Sequence, residues 1–273
     1  MNYYELLLAK KLGGSGGGGG GGGDDTLGQR LADTLSTYTN STLTSLVLYA
    51  FFQNTTLASV DMPNVVSIGS NAFFSCTGLN SASFPQCKTI GSSAFFKTNL
   101  SVVDFSKVET IYTGAFSSCQ NLTNVDLPAC KSIGSSAFNY CSKLASVSLP
   151  VCTSLALSTF GGCVSLTSVY VPELLIVPAY AFAGCNYLTT ISLPKCSYIS
   201  GNNNFYTCSR LESLYLMSTT AVNLGNSNAF TNSGLVNSTW LGHFGSIYVP
   251  SSLVDTYKTK NMWSYFSSRF VGV

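Results

Sequence analysis

The sequence predicts an α/β repeat: a solenoid of roughly 22-residue blocks stacked into one elongated body. Three observations predict it. Leu57, Leu79, Leu100, Leu122, Leu144, Leu166, Leu188 and Leu211 head near-identical blocks, spaced 22, 21, 22, 22, 22, 22 and 23 residues apart. Within each block, apolar residues recur at fixed offsets. No block can bury its apolar face alone, so the blocks must stack to share a core.

Five segments follow from this reading. Residues 1–12 (MNYYELLLAKKL) set Tyr3, Tyr4, Leu7, Leu8 and Leu12 on one face of a short helix. A helix of that length is marginal alone, so the segment is expected to be an anchor that docks on a partner. Residues 13–23 are glycine except for Ser15, a flexible linker with a reach of about 18 Å. Residues 24–42 are expected to cap the solenoid, with Asp24 and Asp25 suited to a helix N-terminus and Leu27, Leu31 and Leu35 at helical spacing. The repeats are expected over 43–235, opened by a shortened block, Leu43 to Leu48, with Ala50-Phe51 after it. Residues 236–273 are expected to form the C-terminal cap.

One block, Leu122 to Lys143, reads LTNVDLPACKSIGSSAFNYCSK. The fourth position holds Val60, Ala82, Val103, Val125, Val147, Val169, Ile191 and Leu214. The sixth holds Met62, Phe84, Phe105, Leu127, Leu149, Val171, Leu193 and Leu216. Alternation with period two predicts a short half-buried strand, with successive strands about 4.8 Å apart. Eight strands would then span roughly 34 to 38 Å. Proline follows in six blocks and ends the pairing. Glycine in the recurring Ile-Gly pair (Ile68-Gly69, Ile90-Gly91, Ile133-Gly134) is expected to supply a positive φ. The Ala-Phe pair puts a small and a large residue into the far side of the coil. After Leu216 the repeat fades. Ile247 to Pro250 is expected as a final strand and Ser251 as the cap of a short helix through Tyr257. Trp263, Phe266 and Phe270 are expected to seal the end.

The ten cysteines fall in two columns half a repeat apart, and Thr98 replaces one member. No Cys-x-x-Cys pair exists, which argues against zinc. They read as small buried hydrophobes, with disulfides between stacked neighbours as the alternative.

Charged residues make up 9% of the chain, against roughly 25% in an ordinary domain. Formal net charge is +2 and there is no basic stripe, which excludes nucleic acid as a partner class. No run approaches 18 apolar residues, so no membrane span is expected. No secretory signal is visible.

The pattern Leu-x-x-Val-x-Leu-Pro-x-x-x-x-Ile-Gly-x-x-Ala-Phe-x-x-Cys, from about Leu43 to Phe230, resembles the BspA-like class of leucine-rich repeats. The resemblance implies a curved leucine-rich-repeat solenoid with a parallel sheet on one face. It implies surface proteins that bind host proteins or other cells, and not catalysts. The leader, the polyglycine run and the ending from Ile247 to Val273 resemble tail-associated proteins of phages and prophages of gut bacteria. That resemblance implies a virion or extracellular location, a leader that docks on the virion, and a protein or carbohydrate ligand on a cell surface. The alternatives are a bacterial cell-surface adhesin and a purely structural decoration protein.

A catalytic site needs a base, a nucleophile or a metal cluster. His243 is the single histidine and stands beside Phe244 with no partner motif, so no catalytic residue and no cofactor are assigned. The glycine run lacks the Gly-Lys-Ser/Thr ending of a phosphate loop. The candidate binding face is the strand position between the two buried ones: Asp61, Ser83, Asp104, Asp126, Ser148, Tyr170, Ser192 and Tyr215, with Glu173 nearby. Acids gather at one end and tyrosines at the other. Asp104 and Asp126 read as a solvated acidic edge, with a shared Ca²⁺ as the alternative; no metal site is assigned. Tyr170 and Tyr215 suit stacking on a sugar or docking a peptide.

Overall fold

The computed structural model describes residues 36–236 and 244–273. The expectations for the anchor, the linker, the helix through Leu35 and His243 lie outside the described residues.

The chain winds as a solenoid of parallel β structure, as the repeat requires. Each coil opens with a strand of the first sheet: Thr37–Thr39, Ser59–Asp61, Ser81–Ser83, Asn124–Asp126, Ser146–Ser148, Ser168–Tyr170, Thr190–Ser192, Ser213–Tyr215 and Ser246–Val249. Residues 102–104 occupy the missing place through single bridges, Ser83 to Asp104 and Val102 to Asn124. The register is set by the central apolar residue: Tyr38 lies beside Val60 and Val60 beside Ala82. A one-residue slip would turn that residue to solvent.

The coil then turns into a second parallel sheet of nine two-residue strands, from Ser45–Leu46 to Asn223–Leu224. Here the α/β expectation is corrected. Among the described residues of the repeats, the single helical piece is the 3-10 turn Ser227–Phe230. Ile68, Ile90, Ile111 and Ile133 line up strand to strand, so the chain is extended there. The Ala-Phe side cannot become a helix either. It is bracketed by left-handed residues, such as Asn71 (φ 56°) and Ser75 (φ 55°) around Ala72-Phe73. L-residues adopt that conformation singly and do not propagate it.

The same finding corrects the role of the Ile-Gly glycines. Positive φ falls on residues such as Ser93, Lys97 and Ser136, and not on Gly69, Gly91 or Gly134. Those glycines are needed for close approach. A Cβ on Gly91 would lie 2.5 Å from the backbone nitrogen of Ser70 in the preceding coil. The Gly91 N–H donates to the Ile68 carbonyl at 2.8 Å, holding the coils at that separation.

The opening register also differs from the sequence expectation. Leu46 pairs with Ile68 in the second sheet, so Leu43 to Leu48 is the second side of a coil. The first strand is Thr37–Thr39, inside the segment expected to cap. Both sides of the coil begin with a small polar residue before an apolar one, so a short block such as Leu43 to Leu48 fits either side by pattern alone.

Phe51, Phe73, Phe95, Phe116, Phe138, Phe160, Phe182, Phe205 and Phe230 form a buried face-to-face ladder, with centroids 5.1 to 5.8 Å apart and interplanar angles of 12° or less. Each ring covers the apolar face of the next, which is how identical coils share a core. Where most blocks have alanine and the block from Leu144 has Thr159, the 23-residue block from Leu188 has Asn204. Its buried side-chain amide donates to the carbonyls of Val177, Pro178 and Ser200 at 2.8 to 3.1 Å.

All ten cysteines are buried free thiols. One column donates across the step between coils. Cys76, Cys119, Cys141, Cys163, Cys185 and Cys208 each reach a phenylalanine carbonyl one coil back, at 2.8 to 3.4 Å. Thr98 does related work with its hydroxyl, bonding the Phe95 carbonyl at 3.0 Å and lying 3.3 Å from the Cys119 sulfur. Burial pushes the thiols of Cys119, Cys163 and Cys208 from 9.0 to about 12. Below pH 9 both folded and unfolded chains keep these protons. Between pH 9 and about 12 the unfolded chain loses protons that the folded chain retains, so stability falls as pH rises. We therefore expect the thermal midpoint, followed by circular dichroism, to be level from pH 7 to 8.5 and to drop steeply above pH 9. A flat profile to pH 11 would contradict this account.

At the far end, Ser246–Val249 is a full member of the first sheet, pairing Ile247 with Leu214, and Phe270–Gly272 adds a last strand beside it. The segment expected as a cap therefore extends the sheet as well. Ser251 does not cap the helix; the helix Val254–Thr259 has Leu253 at its N-cap and no side-chain cap bond. The Ser251 hydroxyl instead donates to the Val273 carbonyl at 3.4 Å. Tyr257, Trp263 and Phe266 are buried as expected, with Phe270 packed against them. Trp263 Nε1 donates to the Val222 carbonyl at 2.7 Å, and the Val222 N–H donates to the Tyr257 hydroxyl at 2.8 Å. The cap thus satisfies backbone groups that the end of a stack leaves open. Among the described residues, no helix is long and apolar enough to cross a membrane.

Candidate functional site

The candidate residues sit where strand alternation puts them, on the outer side of the first sheet. The register joins Asp61 to Ser83, Ser83 to Asp104, Asp126 to Ser148, Ser148 to Tyr170 and Ser192 to Tyr215. Asp61, Ser83, Asp104, Asp126, Tyr170 and Ser192 are exposed, and Ser148 and Tyr215 are half-buried. Beside this row runs a second outer row: Ser59, Ser81, Val102, Asn124, Ser146, Ser168, Thr190, Ser213 and Ser246. It is almost entirely hydroxyl, and the Ser146 hydroxyl bonds Asn124 Oδ1 at 2.6 Å. The face is therefore a polar lattice of hydrogen-bonding groups, with its charge confined to Asp61, Asp104 and Asp126.

The two ends differ. At one, Asp104 and Asp126 lie on adjacent strands. Among the described residues, no group of three or more His, Cys, Asp or Glu side chains is placed to hold a metal. At the other, Tyr215 stacks on Tyr248, with centroids 4.5 Å apart and planes at 10°. Tyr248 belongs to the row and was missed by the sequence reading. The signal was present, since Ile247-Tyr248-Val249-Pro250 repeats the motif Val169-Tyr170-Val171-Pro172. The row therefore extends one strand into the segment expected as the cap.

Glu173 lies outside the row. It follows the strand, at the corner of the coil, and its carboxylate meets Lys195 Nζ at 2.6 Å. The same corner carries Lys107 on Gln86 at 2.7 Å. At the opposite corner, the Arg210 guanidinium covers the Tyr187 ring at 4.2 Å, a pair that no repeat offset signalled.

The first sheet is interrupted between Ser168–Tyr170 and Thr190–Ser192, which fall in different hydrogen-bonded ladders. The break separates Tyr170 from Ser192, its neighbour in the row.

A model of the BspA-type leucine-rich-repeat region matches residues 44–156 and 131–249. No curated protein matches the chain. Among solved structures, a leucine-rich-repeat protein of T. pallidum is 33% identical over 56% of this chain and 78% of its own, with a TM-score of 0.53. A leucine-rich cell surface protein of Faecalibacterium prausnitzii is 19% identical over 88% of this chain and 83% of its own, with a TM-score of 0.43. The pneumococcal vaccine antigen PcpA is 14% identical over 87% of this chain and 77% of its own, with a TM-score of 0.39.

Proposed function

The chain belongs to the BspA-type leucine-rich-repeat family, and from that premise we propose that it is a non-catalytic adhesion module whose first-sheet face contacts a protein or carbohydrate on a cell surface. The observation that carries this reading is the tyrosine end of the outer row. Tyr170 is 56% exposed on a strand position that the core does not need, and Tyr215 is braced by Tyr248. Rigid exposed aromatics among hydroxyls are what a binding surface requires, because they bring contact area at low entropic cost. The finer reading is that the module is carried on a phage tail or virion. The leader 1–12 and the glycine run 13–23 favour it, since a docking segment on a tether allows many copies to bind together. A bacterial surface adhesin is the second reading, favoured by the description of the F. prausnitzii protein as a cell surface protein.

The test is binding of the full chain to intact gut bacteria, compared with Tyr170→Ala/Tyr215→Ala. We expect saturable binding to some strains, weakened at least about tenfold in the double variant, as loss of two aromatic anchors implies. Equal binding by a folded double variant would remove the tyrosine end from the site. Absence of binding to every strain would favour a decoration role. Detection of the chain in purified virions would separate the tail reading from the adhesin.

A further inference from the structure

We infer that Tyr170, Ser192 and Tyr215 form a slot that takes one pyranose ring of an uncharged glycan between two aromatic walls. The inference rests on the sheet face being the binding surface. The three residues follow one another on three consecutive strands, as large, small, large. The step from Ser192 to Tyr215 is one hydrogen-bonded strand spacing of about 4.8 Å, and the step from Tyr170 to Ser192 crosses the break in the sheet and is at least as wide, so the two tyrosine positions stand about 9.6 Å or more apart. A flat ring between two others needs about 7 Å, twice the carbon contact distance. A puckered sugar needs more, and the slot offers it.

The wall on one side has a known orientation. Tyr215 and Tyr248 are parallel within 10° at 4.5 Å, close to one strand spacing, so their normals run along the row. The free face of Tyr215 therefore points back over Ser192. Ser192 is exposed and fills little of the gap. The interruption of the sheet between Ser168–Tyr170 and Thr190–Ser192 falls at this slot, where the Tyr170 wall is not tied to the floor by a ladder. Ser168, Thr190 and Ser213 place hydroxyls along its side. The strands carrying the slot contain no charged residue, which matches a neutral ligand. Sugar C–H groups on the ring faces with hydroxyls at the edge complement such a site; the aspartate end of the row offers no aromatic wall.

The probe is an array of neutral hexose and N-acetylhexosamine oligosaccharides, applied to the full chain, followed by titration of the best binder. Ser192→Phe fills the slot while leaving both tyrosines in place, and Tyr170→Ala removes a wall. Lys107→Ala, at the corner of the coil outside the row, is the control. We expect saturable binding of at least one oligosaccharide, weakened about tenfold or more by either slot variant and unchanged by Lys107→Ala. Circular dichroism shows whether each variant is folded. Should no oligosaccharide bind, or should binding survive Ser192→Phe in folded protein, the slot is refuted. If cell binding still falls in Tyr170→Ala/Tyr215→Ala, the face reading survives that refutation; if neither effect is seen, both fail. Loss of cell binding after protease treatment of the bacteria, with no array signal, would assign the face to a protein partner.

Discussion

Phe138→Ala is expected to lower the stability of the solenoid by about 3–5 kcal/mol, the usual cost of truncating a buried phenylalanine. Phe138 is fully buried, 5.2 Å from Phe116 and 5.5 Å from Phe160, with planes at 1° and 10°. Its removal takes away both stacking partners at once and leaves a void that parallel rings on fixed coils cannot collapse to fill. The backbone above and below is held by coil-to-coil bonds, such as Phe138 N–H to the Thr159 carbonyl at 2.9 Å. In a solenoid each coil touches only its neighbours, so a weak step in the middle uncouples the two halves. Urea unfolding should show a lower midpoint and a shallower or two-phase transition. A shift below about 1 kcal/mol would mean that the ladder is packing filler and not the source of cohesion.

Trp263→Ala is expected to be at least as damaging, through a different route. The side chain is fully buried and closes the phenylalanine ladder, 6.0 Å from Phe230. Truncation costs about 3–5 kcal/mol of packing. It also leaves the Val222 carbonyl without its indole donor, a further penalty of about 1–3 kcal/mol for an unsatisfied buried group. Trp263→Phe keeps much of the volume and loses the donor, so the pair of variants separates the two contributions. Hydrogen exchange should show early opening at Asn223–Leu224 and Ser213–Tyr215 in Trp263→Ala, with strands near Ser81–Ser83 unaffected. Uniform loss of protection along the chain would show that the end is not a local seal.

The candidate site was legible where it depends on alternation alone. Asp61, Tyr170 and Ser192 face outward because Val60, Val169 and Ile191 must face inward, and that is readable in any block. The Tyr215–Tyr248 stack was signalled only by the returning motif Ile247-Tyr248-Val249-Pro250, because 33 residues separate the two tyrosines and the repeat offset of 21 to 23 no longer applies. Glu173 was grouped with the tyrosines by proximity in sequence; the corner of the coil carries it away and Lys195, one repeat on, takes its carboxylate.

The sequence by itself determined the period, the in-register strands of the first sheet and the shared buried core with its two thiol columns. These follow from a burial pattern repeated many times, and repetition averages out local ambiguity. Only the tertiary structure decided how each turn is made and how the stack ends. Residues such as Ser93 and Lys97 hold left-handed conformations in which their N–H groups donate to the Thr113 and Ser117 carbonyls of the next coil. Gly69, Gly91 and Gly134 are fixed by the backbone of another coil. The C-terminal aromatics meet Val222 across about forty residues. At the turns and the glycines the deciding neighbour lies one repeat away and is invisible within a single block; at the C-terminal end no periodic rule connects Val222 to the aromatics that cover it.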